Sequence, residues 1–160
     1  MKKILVPIDF SDVTELVIEN AKFFAKLLDA ELKIIHVVAP VPQDAGVLQE
    51  SVGGIIIVPL NYEILRDELA AELKNEHRKM FEIKQKLTNE KIKVKAFLLG
   101  GNVSEVVESQ VNEYDPDMII MGSHGHGHVA KALLGSITIS VLKHVKCPVI
   151  IVPSRAKKQN

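Results

Sequence analysis

Short, nearly continuous apolar runs recur along the chain, and stretches with the period of an amphipathic helix separate them. The five runs occupy residues 3–8, 32–38, 94–99, 118–121 and 148–153. Strands that are apolar on both faces are typical of a parallel sheet covered on both sides, because a strand with one wet face would alternate with polar residues. The pattern therefore predicts an α/β domain built on a five-stranded parallel sheet.

Four helical stretches connect these runs: one begins after Asp12, and the others span residues 62–88, 104–114 and 136–145. Asp12, with Glu15 three residues later, resembles a capping box for the first helix. Right-handed crossovers predict an open, doubly wound sheet with strand order 3-2-1-4-5 and helices on both faces. Ligands bind such sheets where the strand order reverses, so Asp9 and Gly122, which end the first and fourth strands, should face one crevice.

One domain is expected to span residues 1–154, followed by a short basic tail at residues 155–160. The connection of residues 39–60 does not fit the regular pattern, because it is long and its segment 53–59 is unusually apolar. Long connections in compact domains often act as lids or contact surfaces, and they can also fold back on the domain's own core. The sequence leaves both interpretations open.

The charge balance gives the chain no general attraction to nucleic acid or to an anionic membrane. Lys and Arg total 20 of the 160 residues, and Asp and Glu also total 20. No apolar run approaches the roughly 20 residues of a membrane span, and the start of the chain lacks the apolar core of a signal peptide. The lone Cys147 agrees with a reducing compartment. We therefore expect a cytoplasmic protein that binds neither nucleic acid nor membrane.

A segment rich in glycine and histidine follows the fourth run directly and extends over residues 122–136. Glycines let a backbone approach a ligand closely, and the N–H groups at a helix start attract anions, so the segment suggests a phosphate site. The Walker A pattern requires Gly, four residues and then Gly-Lys-Ser/Thr. Gly122 and Gly127 have that spacing, but His128 and Val129 replace the lysine and the hydroxyl residue. This motif is therefore rejected.

The dinucleotide fingerprint fits the segment only in form. Gly125, Gly127 and Ala130 match the pattern Gly-x-Gly-x-x-Gly/Ala. The motif also needs an acidic residue about 20 positions later to hold the ribose, and no Asp or Glu follows Asp117 in the sequence. The dinucleotide interpretation is therefore set aside.

A third pattern, Gly-x2-Gly-x9-Gly-Ser/Thr, matches the segment at all of its defined positions. The matching residues are Gly122, Gly125, Gly135 and Ser136. With this motif the chain resembles the universal stress protein family, specifically its ATP-binding branch. The resemblance covers nearly the whole chain, and it is carried by residues 3–11, 32–37, 117–125, 134–136 and 147–152. Several motifs in the same order make the match specific, which a lone glycine motif would not.

The resemblance implies a cytoplasmic dimer with ATP, or ADP or AMP, in the crevice between the first and fourth strands. It implies that Asp9 and the backbone of Val37 hold the adenosine half, with Pro7, Ile8 and Met121 forming the adjacent wall. The residues implied at the phosphate half are Gly122, Gly125, Gly135, Ser136 and Thr138, with Ser123, His124 and Ile137 beside them. A divalent cation, Mg²⁺ or Mn²⁺, would sit on the phosphates without direct protein ligands, since Mg²⁺ prefers phosphate and water oxygens.

The chain departs from a common version of the family pattern after Gly125. An Arg or Lys often follows in this family, whereas this chain has His126, and Lys131 could supply the missing charge. The alternation of His124, His126 and His128 invites a metal site, but no nearby Cys or acidic residue completes the three or four ligands that such a site needs. Contact with phosphate, or plain solvation, is the favoured interpretation of these histidines.

The favoured function is a nucleotide-dependent signalling or stress-response dimer with an unknown downstream protein. The homodimer is expected to form through Val149–Val152, an apolar and uncharged strand at the sheet edge. Asp9 could instead cap the first helix, but Ser11 and Asp12 can do so, which favours a ligand role for Asp9. No nucleophile with a partnered base is evident, so no catalytic residue is predicted. A slow ATPase and a nucleotide-independent dimeric scaffold are the alternatives.

Overall fold

Strands and helices alternate along the chain in the computed structural model, which describes residues 1–38, 50–52, 55–57, 66–123 and 134–153. The elements are β1 (Lys2–Ile8), α1 (Thr14–Leu28), β2 (Ala30–Val38), β3 (Glu50–Val52), β4 (Ile55–Ile57), α2 (Arg66–Asn89), β5 (Val94–Gly100), α3 (Val103–Tyr114), β6 (Met118–Gly122), α4 (Ser136–His144) and β7 (Val149–Val152). One parallel sheet has the order β5-β2-β1-β6-β7. Numbered along the chain, its five strands lie in the order 3-2-1-4-5, which confirms the predicted topology.

The pairing of β1 places its carboxyl end between two neighbours. β1 pairs with β2 along its whole length, so that Ile8 lies level with His36. On its other side β1 pairs with β6, with Leu5 opposite Ile119. The strand order reverses between β1 and β6, and the helices that follow these two strands pack on opposite faces of the sheet. An open crevice therefore forms at the carboxyl ends of β1 and β6.

Alternating side chains of the strands enter two hydrophobic cores. Ile4 of β1 lies in the core that α1 and α2 cover, together with Met80 of α2. Leu5, the next residue of β1, lies in the core beneath α3 and α4, together with Val107 of α3. Both faces of the sheet are therefore covered by helices, as the apolar strand runs predicted.

β3 and β4 form an antiparallel hairpin within the long connection of residues 39–60. The hairpin is absent from the sequence prediction, which treated this connection as irregular. Each strand has only 3 residues, too few for an alternating pattern to stand out. β4 lies against β5, so the hairpin adjoins the edge of the main sheet. Residues 39–49, 53–54 and 58–65 of the connection and its flank lie outside the described residues.

The start of α1 differs from the predicted capping box of Asp12 and Glu15. The helix begins at Thr14, and its N-cap is Val13, whose side chain makes no capping hydrogen bond. A backbone hydrogen bond from the N–H of Thr14 to the Ser11 carbonyl (2.9 Å) closes the preceding turn instead. The predicted box is wrong, because Asp12 lies one residue before the position from which a side chain caps.

The other predicted boundaries agree with the structure to within about two residues wherever both ends are described. The predicted first turn of α2, residues 62–65, and the basic tail, residues 155–160, lie outside the described residues. Across the helices that the structure describes, none combines the length and the apolar character that crossing a membrane requires.

Hydrogen bonds fix both ends of α3. Asn102, the N-cap, accepts on Oδ1 from the N–H groups of Ser104 (3.0 Å) and Glu105 (3.3 Å). At the other end the Tyr114 hydroxyl donates to Glu31 Oε1 at 3.0 Å. Burial, together with this hydrogen bond to Glu31, raises the pKa of Tyr114 well above its usual range, so the phenol remains a donor. α3 is therefore held firmly with its first turn at the crevice.

Gly101 makes the turn that leads from β5 into α3. Its φ is +138°, a region that side chains of L-residues rarely adopt. A Cβ added at this position would also approach the Val106 side chain to 3.0 Å. Glycine is therefore required here for the backbone turn that starts α3.

Replacing the N-cap of α3 should destabilise the fold at the wall of the crevice. We expect Asn102→Ala to lower the free energy of unfolding by about 1 kcal/mol, because two N–H groups lose their side-chain acceptor. Asn102→Asp keeps a carboxylate oxygen at the cap and should remain close to the wild type. Urea denaturation followed by circular dichroism measures both variants. Equal losses in the two variants would contradict a capping role.

Candidate functional site

A cavity of about 650 Å³ opens at the carboxyl ends of β1, β2 and β6. The start of α1, α3 and α4 and one face of α2 complete its walls. The cavity lies where the strand order reverses, which is the usual ligand position in an open α/β sheet. Its volume is in the range of sites for small molecules. The walls are largely apolar, and polar groups concentrate at two opposite ends.

A strained turn after β1 presents Asp9 to the cavity. Phe10 has a φ of +58°, in the left-handed region that a bulky residue seldom occupies. The Asp9 Oδ1 atom accepts hydrogen bonds from the N–H (3.0 Å) and the hydroxyl (2.6 Å) of Ser11. Left-handed backbone costs roughly 1–2 kcal/mol for an ordinary residue, so the surrounding contacts must hold this turn. The turn fixes the orientation of the Asp9 carboxylate at the cavity wall.

His36 joins the end of β1 to α2. The side chain is buried, its Nδ1 lies 2.9 Å from the Ile8 carbonyl, and its Nε2 lies 3.1 Å from Glu76 Oε1. Both ring nitrogens are therefore engaged, one by a backbone carbonyl and the other by a carboxylate. The Phe10 ring packs on the imidazole with centroids 4.4 Å apart. His36 therefore ties the strained turn, β2 and α2 together beside the cavity.

Two glutamates of α2 form an acidic wall of the cavity. Glu72 and Glu76 are four residues apart, so they lie on the same helix face, and both line the cavity. Glu76 is mostly buried and contacts His36, whereas Glu72 is exposed. With Asp9, the described lining residues therefore include three carboxylates at this end.

The N-terminus of α4 forms the opposite end of the cavity. Its N-cap is Gly135, which offers no side chain to cap the helix. The first hydrogen bond of the helix runs from the N–H of Ile139 to the Gly135 carbonyl (3.0 Å), so the N–H groups of residues 136–138 precede any intrahelical acceptor. Such a helix start attracts anions through its N–H groups and its dipole.

Thr138 fastens this helix start to β6. Its hydroxyl donates to the Gly122 carbonyl (3.2 Å), with a longer contact to the Ser123 carbonyl (3.5 Å), and the residue is only 2% exposed. The N–H of Gly135 donates to the same Ser123 carbonyl at 2.9 Å. The sequence resemblance implied a direct phosphate contact for Thr138. Its hydroxyl is engaged with β6, while its backbone N–H is one of the three that precede any intrahelical acceptor of α4.

The structure brings most of the predicted site residues to this one cavity. Those that line it are Pro7, Ile8, Asp9, Val37, Met121, Gly122, Gly135, Ser136, Ile137 and Thr138. Ser123 is buried beside them, and its N–H donates to the Val152 carbonyl of β7 (2.9 Å). The predicted loop residues His124 and Gly125, as well as His126, His128 and Lys131, lie outside the described residues.

Sequence reasoning missed the contributions of α2 and α3 to this cavity. Glu72 and Glu76 of α2 and Val103 and Val107 of α3 all line it. The spacing of the two glutamates places them on one helix face, which was the available signal. α2 is rich in charged residues all round, so its sequence does not distinguish the face that turns toward a ligand from the faces that turn toward solvent.

In the part of the chain that the structure describes, no group of three or more His, Cys, Asp or Glu side chains is placed to hold a metal ion. The three carboxylates of the cavity therefore do not converge as a metal centre. An anion held at α4 and a hydrogen-bonding polar group held at Asp9 are the chemistry that the described residues offer.

The chain resembles known proteins over nearly its whole length. The family model described as the universal stress protein family matches residues 1–153. Universal stress protein MJ0577 of Methanocaldococcus jannaschii is 31% identical over 159 residues, covering 94% of each chain. Universal stress protein YxiE of Bacillus subtilis is 32% identical over 151 residues, covering 94% of this chain and 97% of its own length.

Solved structures share the same fold. The structure of MJ0577 matches with a TM-score of 0.75 at 30% identity and 98% coverage of both chains. A universal stress protein in complex with cAMP matches with a TM-score of 0.63 at 17% identity, covering 95% of this chain and 96% of that one. A universal stress protein family protein of Arabidopsis thaliana with AMP bound matches with a TM-score of 0.61 at 16% identity, covering 100% and 97%.

Removing the partner of His36 should cost more than removing a surface glutamate of the same helix. We expect Glu76→Ala to lower the free energy of unfolding by about 1.5–3 kcal/mol, because a buried imidazole loses a charged acceptor. Glu82→Ala is the matched control, since Glu82 pairs with Arg78 and both side chains are more than half exposed. That exposed pair is worth at most about 0.5 kcal/mol. Chemical denaturation measures the free energy of unfolding of both variants. Similar losses in the two variants would contradict the proposed link through His36.

Proposed function

The chain belongs to the universal stress protein family, and on that premise we propose that its cavity binds an adenine nucleotide. The observation that carries the proposal is one cavity that combines the Asp9 carboxylate with the open N-terminus of α4. Two universal stress proteins of the same fold hold cAMP and AMP, which supports adenine nucleotides as the ligand class. ATP is the proposed ligand, and ADP and AMP share its adenosine half.

The adenosine half is assigned to the ends of β1 and β2. Asp9 accepts hydrogen bonds from ribose hydroxyls, as the acidic residue of a dinucleotide-binding fold does. The backbone of Val37 contacts the base, and Pro7, Ile8 and Met121 provide the apolar wall beside it. This assignment agrees with the position of all five residues at the cavity.

The phosphate half is assigned to the start of α4 and the loop before it. The N–H groups of Ser136 and Ile137 and the Ser136 hydroxyl donate to phosphate oxygens. Gly122 and Gly135 allow close approach of the backbone, while Thr138 and Ser123 hold α4 against β6. His124 and Gly125 belong to the same phosphate loop in this proposal.

Mg²⁺ or Mn²⁺ fits the proposal as an ion held by phosphate and water oxygens. The described residues offer no metal cluster of their own at the cavity. A divalent cation bound in this way supplies charge neutralisation for a triphosphate, which the described lining residues do not provide because they include no lysine or arginine. The protein residues then contribute binding and orientation only.

In this proposal, occupancy of the cavity regulates a signalling or stress-response dimer in the cytoplasm. The cavity touches elements of both faces of the sheet, since α1 and α2 lie on one face and α3 and α4 on the other. α4 leads directly into β7, the edge strand. An anion bound at the start of α4 is therefore linked through a single helix to the proposed dimer surface.

Nucleotide affinity should depend on the carboxylate of Asp9 and not on the neighbouring acid. We expect Asp9→Ala to weaken ATP binding about tenfold to a hundredfold, because hydrogen bonds to a charged group contribute about 1.5–3 kcal/mol. Asp12→Ala is the matched control, since Asp12 lies in the same turn, is exposed and does not line the cavity. Isothermal titration calorimetry with ATP and Mg²⁺ measures the affinities.

Thermal denaturation of each variant without nucleotide separates lost binding from lost folding in this comparison. A folded wild type without detectable affinity for ATP, ADP or AMP would overturn the proposed function. Equal weakening by the two aspartate variants would remove Asp9 from the proposed site.

We assign the homodimer contact to β7. This strand is at the edge of the sheet, has no charged residue and bears Val149, Ile150 and Ile151 only partly buried. Exposed edges of this kind pair readily with another chain. The carbonyls of Pro148 and Val152 accept hydrogen bonds from β6, so by alternation Val149 and Ile151 direct their backbone groups outward.

A proline at the outward position should break the dimer without breaking the sheet. Ile151→Pro removes an outward N–H, and the hydrogen bonds that the Pro148 and Val152 carbonyls accept keep their donors and acceptors. We expect this variant to sediment as a monomer at micromolar concentration, where the wild type and Ile151→Val sediment as dimers. Equilibrium sedimentation tests this, and a monomeric wild type would contradict the proposed contact.

A further inference from the structure

The charges around the cavity are unevenly distributed. Asp9, Glu72 and Glu76 line one end, and the residues that the structure describes in the cavity wall include no lysine or arginine. Glu72 in particular is exposed on α2 and is not neutralised by a described basic partner. We call these three side chains the acidic wall. An anion at this end would meet like charges at close range.

The α2 part of the acidic wall lies across β1 from the start of α4. β2 and β6 flank β1 on its two sides, so their ends are about 10 Å apart at the usual strand spacing. Glu76 contacts His36 at the end of β2, whereas Gly135 is bonded to the chain just after β6. α2 and α4 also pack on different faces of the sheet. The cavity therefore has a pole that attracts anions and a pole that repels them.

Among the side chains that the structure describes, two basic ones adjoin the acidic wall, and both have contacts there. The two ring nitrogens of His36 face the Ile8 carbonyl and Glu76, which leaves the imidazole no donor for a ligand. The Lys79 ammonium lies over the Phe10 ring, 5.3 Å from its centroid. The imidazole therefore has no donor left for a second anion, and Lys79 is not among the described residues that line the cavity.

We propose that the acidic wall excludes nucleotides that carry a second phosphate as a monoester on the 2′ or 3′ hydroxyl, and that Glu72 and Glu76 are specificity-determining residues. The inference rests on the nucleotide binding proposed above, in which Asp9 accepts the ribose hydroxyls and the 5′-phosphate lies at α4. A phosphate on the 2′ or 3′ hydroxyl then lies against three carboxylates. Nucleotides with such an additional phosphate are excluded by charge, and 5′-mono-, di- and triphosphates are admitted.

A pair of ligands that differ in one phosphate isolates this effect. 5′-AMP and adenosine 3′,5′-bisphosphate share the base, the ribose and the 5′-phosphate, so the ratio of their dissociation constants reports the cost of the 3′-phosphate alone. In the wild type we expect 5′-AMP to bind roughly tenfold or more tightly. Higher salt should reduce this ratio, because Glu72 is exposed and its field is screened.

Substitutions of Glu72 should change this ratio in a graded way. Glu72→Gln removes one charge and should reduce the ratio several-fold, and Glu72→Lys reverses the charge and should reduce it further. The matched controls are Glu82→Gln and Glu82→Lys, because Glu82 lies on the exposed surface of the same helix and does not line the cavity. These controls should keep the wild-type ratio. Glu76→Gln supplies a second test at the wall, with circular dichroism to check folding because Glu76 also holds His36.

The possible outcomes separate this inference from the proposed function. A ratio that falls in the Glu72 variants but not in the Glu82 variants supports the acidic wall. Damage to the fold would weaken the binding of both ligands. A gain in affinity for the bisphosphate in Glu72→Lys would therefore reflect the charge at this position and not a loss of structure. Tight 5′-AMP binding with the same ratio in every variant overturns the inference and leaves the proposed function standing. If neither ligand binds the folded wild type, both the specificity inference and the proposed nucleotide binding are overturned.

Discussion

The reversal of strand order at β1 is the constraint on which the rest of the structure depends. β1 pairs with β2 on one side and with β6 on the other, and the chain leaves β1 and β6 toward opposite faces of the sheet. The connection after β1 leads to one face of the sheet, and the connection after β6 leads to the other face. The two connections therefore diverge and leave the carboxyl ends of these strands uncovered. The cavity is a consequence of this topology. Its position at the reversal is what brings Asp9 and the start of α4, more than a hundred residues apart in the chain, to one site.

The cavity is polar at its ends because of how local structure is held there. At one end the left-handed turn at Phe10 fixes Asp9, and His36 binds that turn to Glu76 of α2. At the other end Gly135 leaves the N–H groups of α4 without a side-chain cap, and Thr138 fastens the helix to β6. The result is one end that offers carboxylates and one that offers N–H donors. A ligand with an anionic group at one end and hydroxyl or N–H donors at the other matches this arrangement in a single orientation.

The sheet and most of the site could be predicted from the sequence because both depend on local signals. Apolar runs identify buried strands, and the pattern of Gly122, Gly125, Gly135 and Ser136 predicts the proposed phosphate loop, of which Gly122, Gly135 and Ser136 line the cavity. The missed features depend on tertiary placement. Glu72 and Glu76 resemble the other charged residues of α2 until the packing of that helix on β2 and β5 turns them to the cavity. The capping box failed for a related reason, since a backbone turn at Ser11 set the start of α1 at Thr14.

A structure of the protein crystallised with ATP and Mg²⁺ tests the central claim most directly. The account predicts electron density for the nucleotide in the cavity, with ribose hydroxyls at the Asp9 carboxylate and phosphate oxygens at the N–H groups of Ser136 and Ile137. It also predicts the adenosine near Val37 and near Glu72 and Glu76 of α2. A nucleotide bound in the reverse orientation, with phosphates at Asp9 and Glu72, or one bound elsewhere on the surface, would contradict the account.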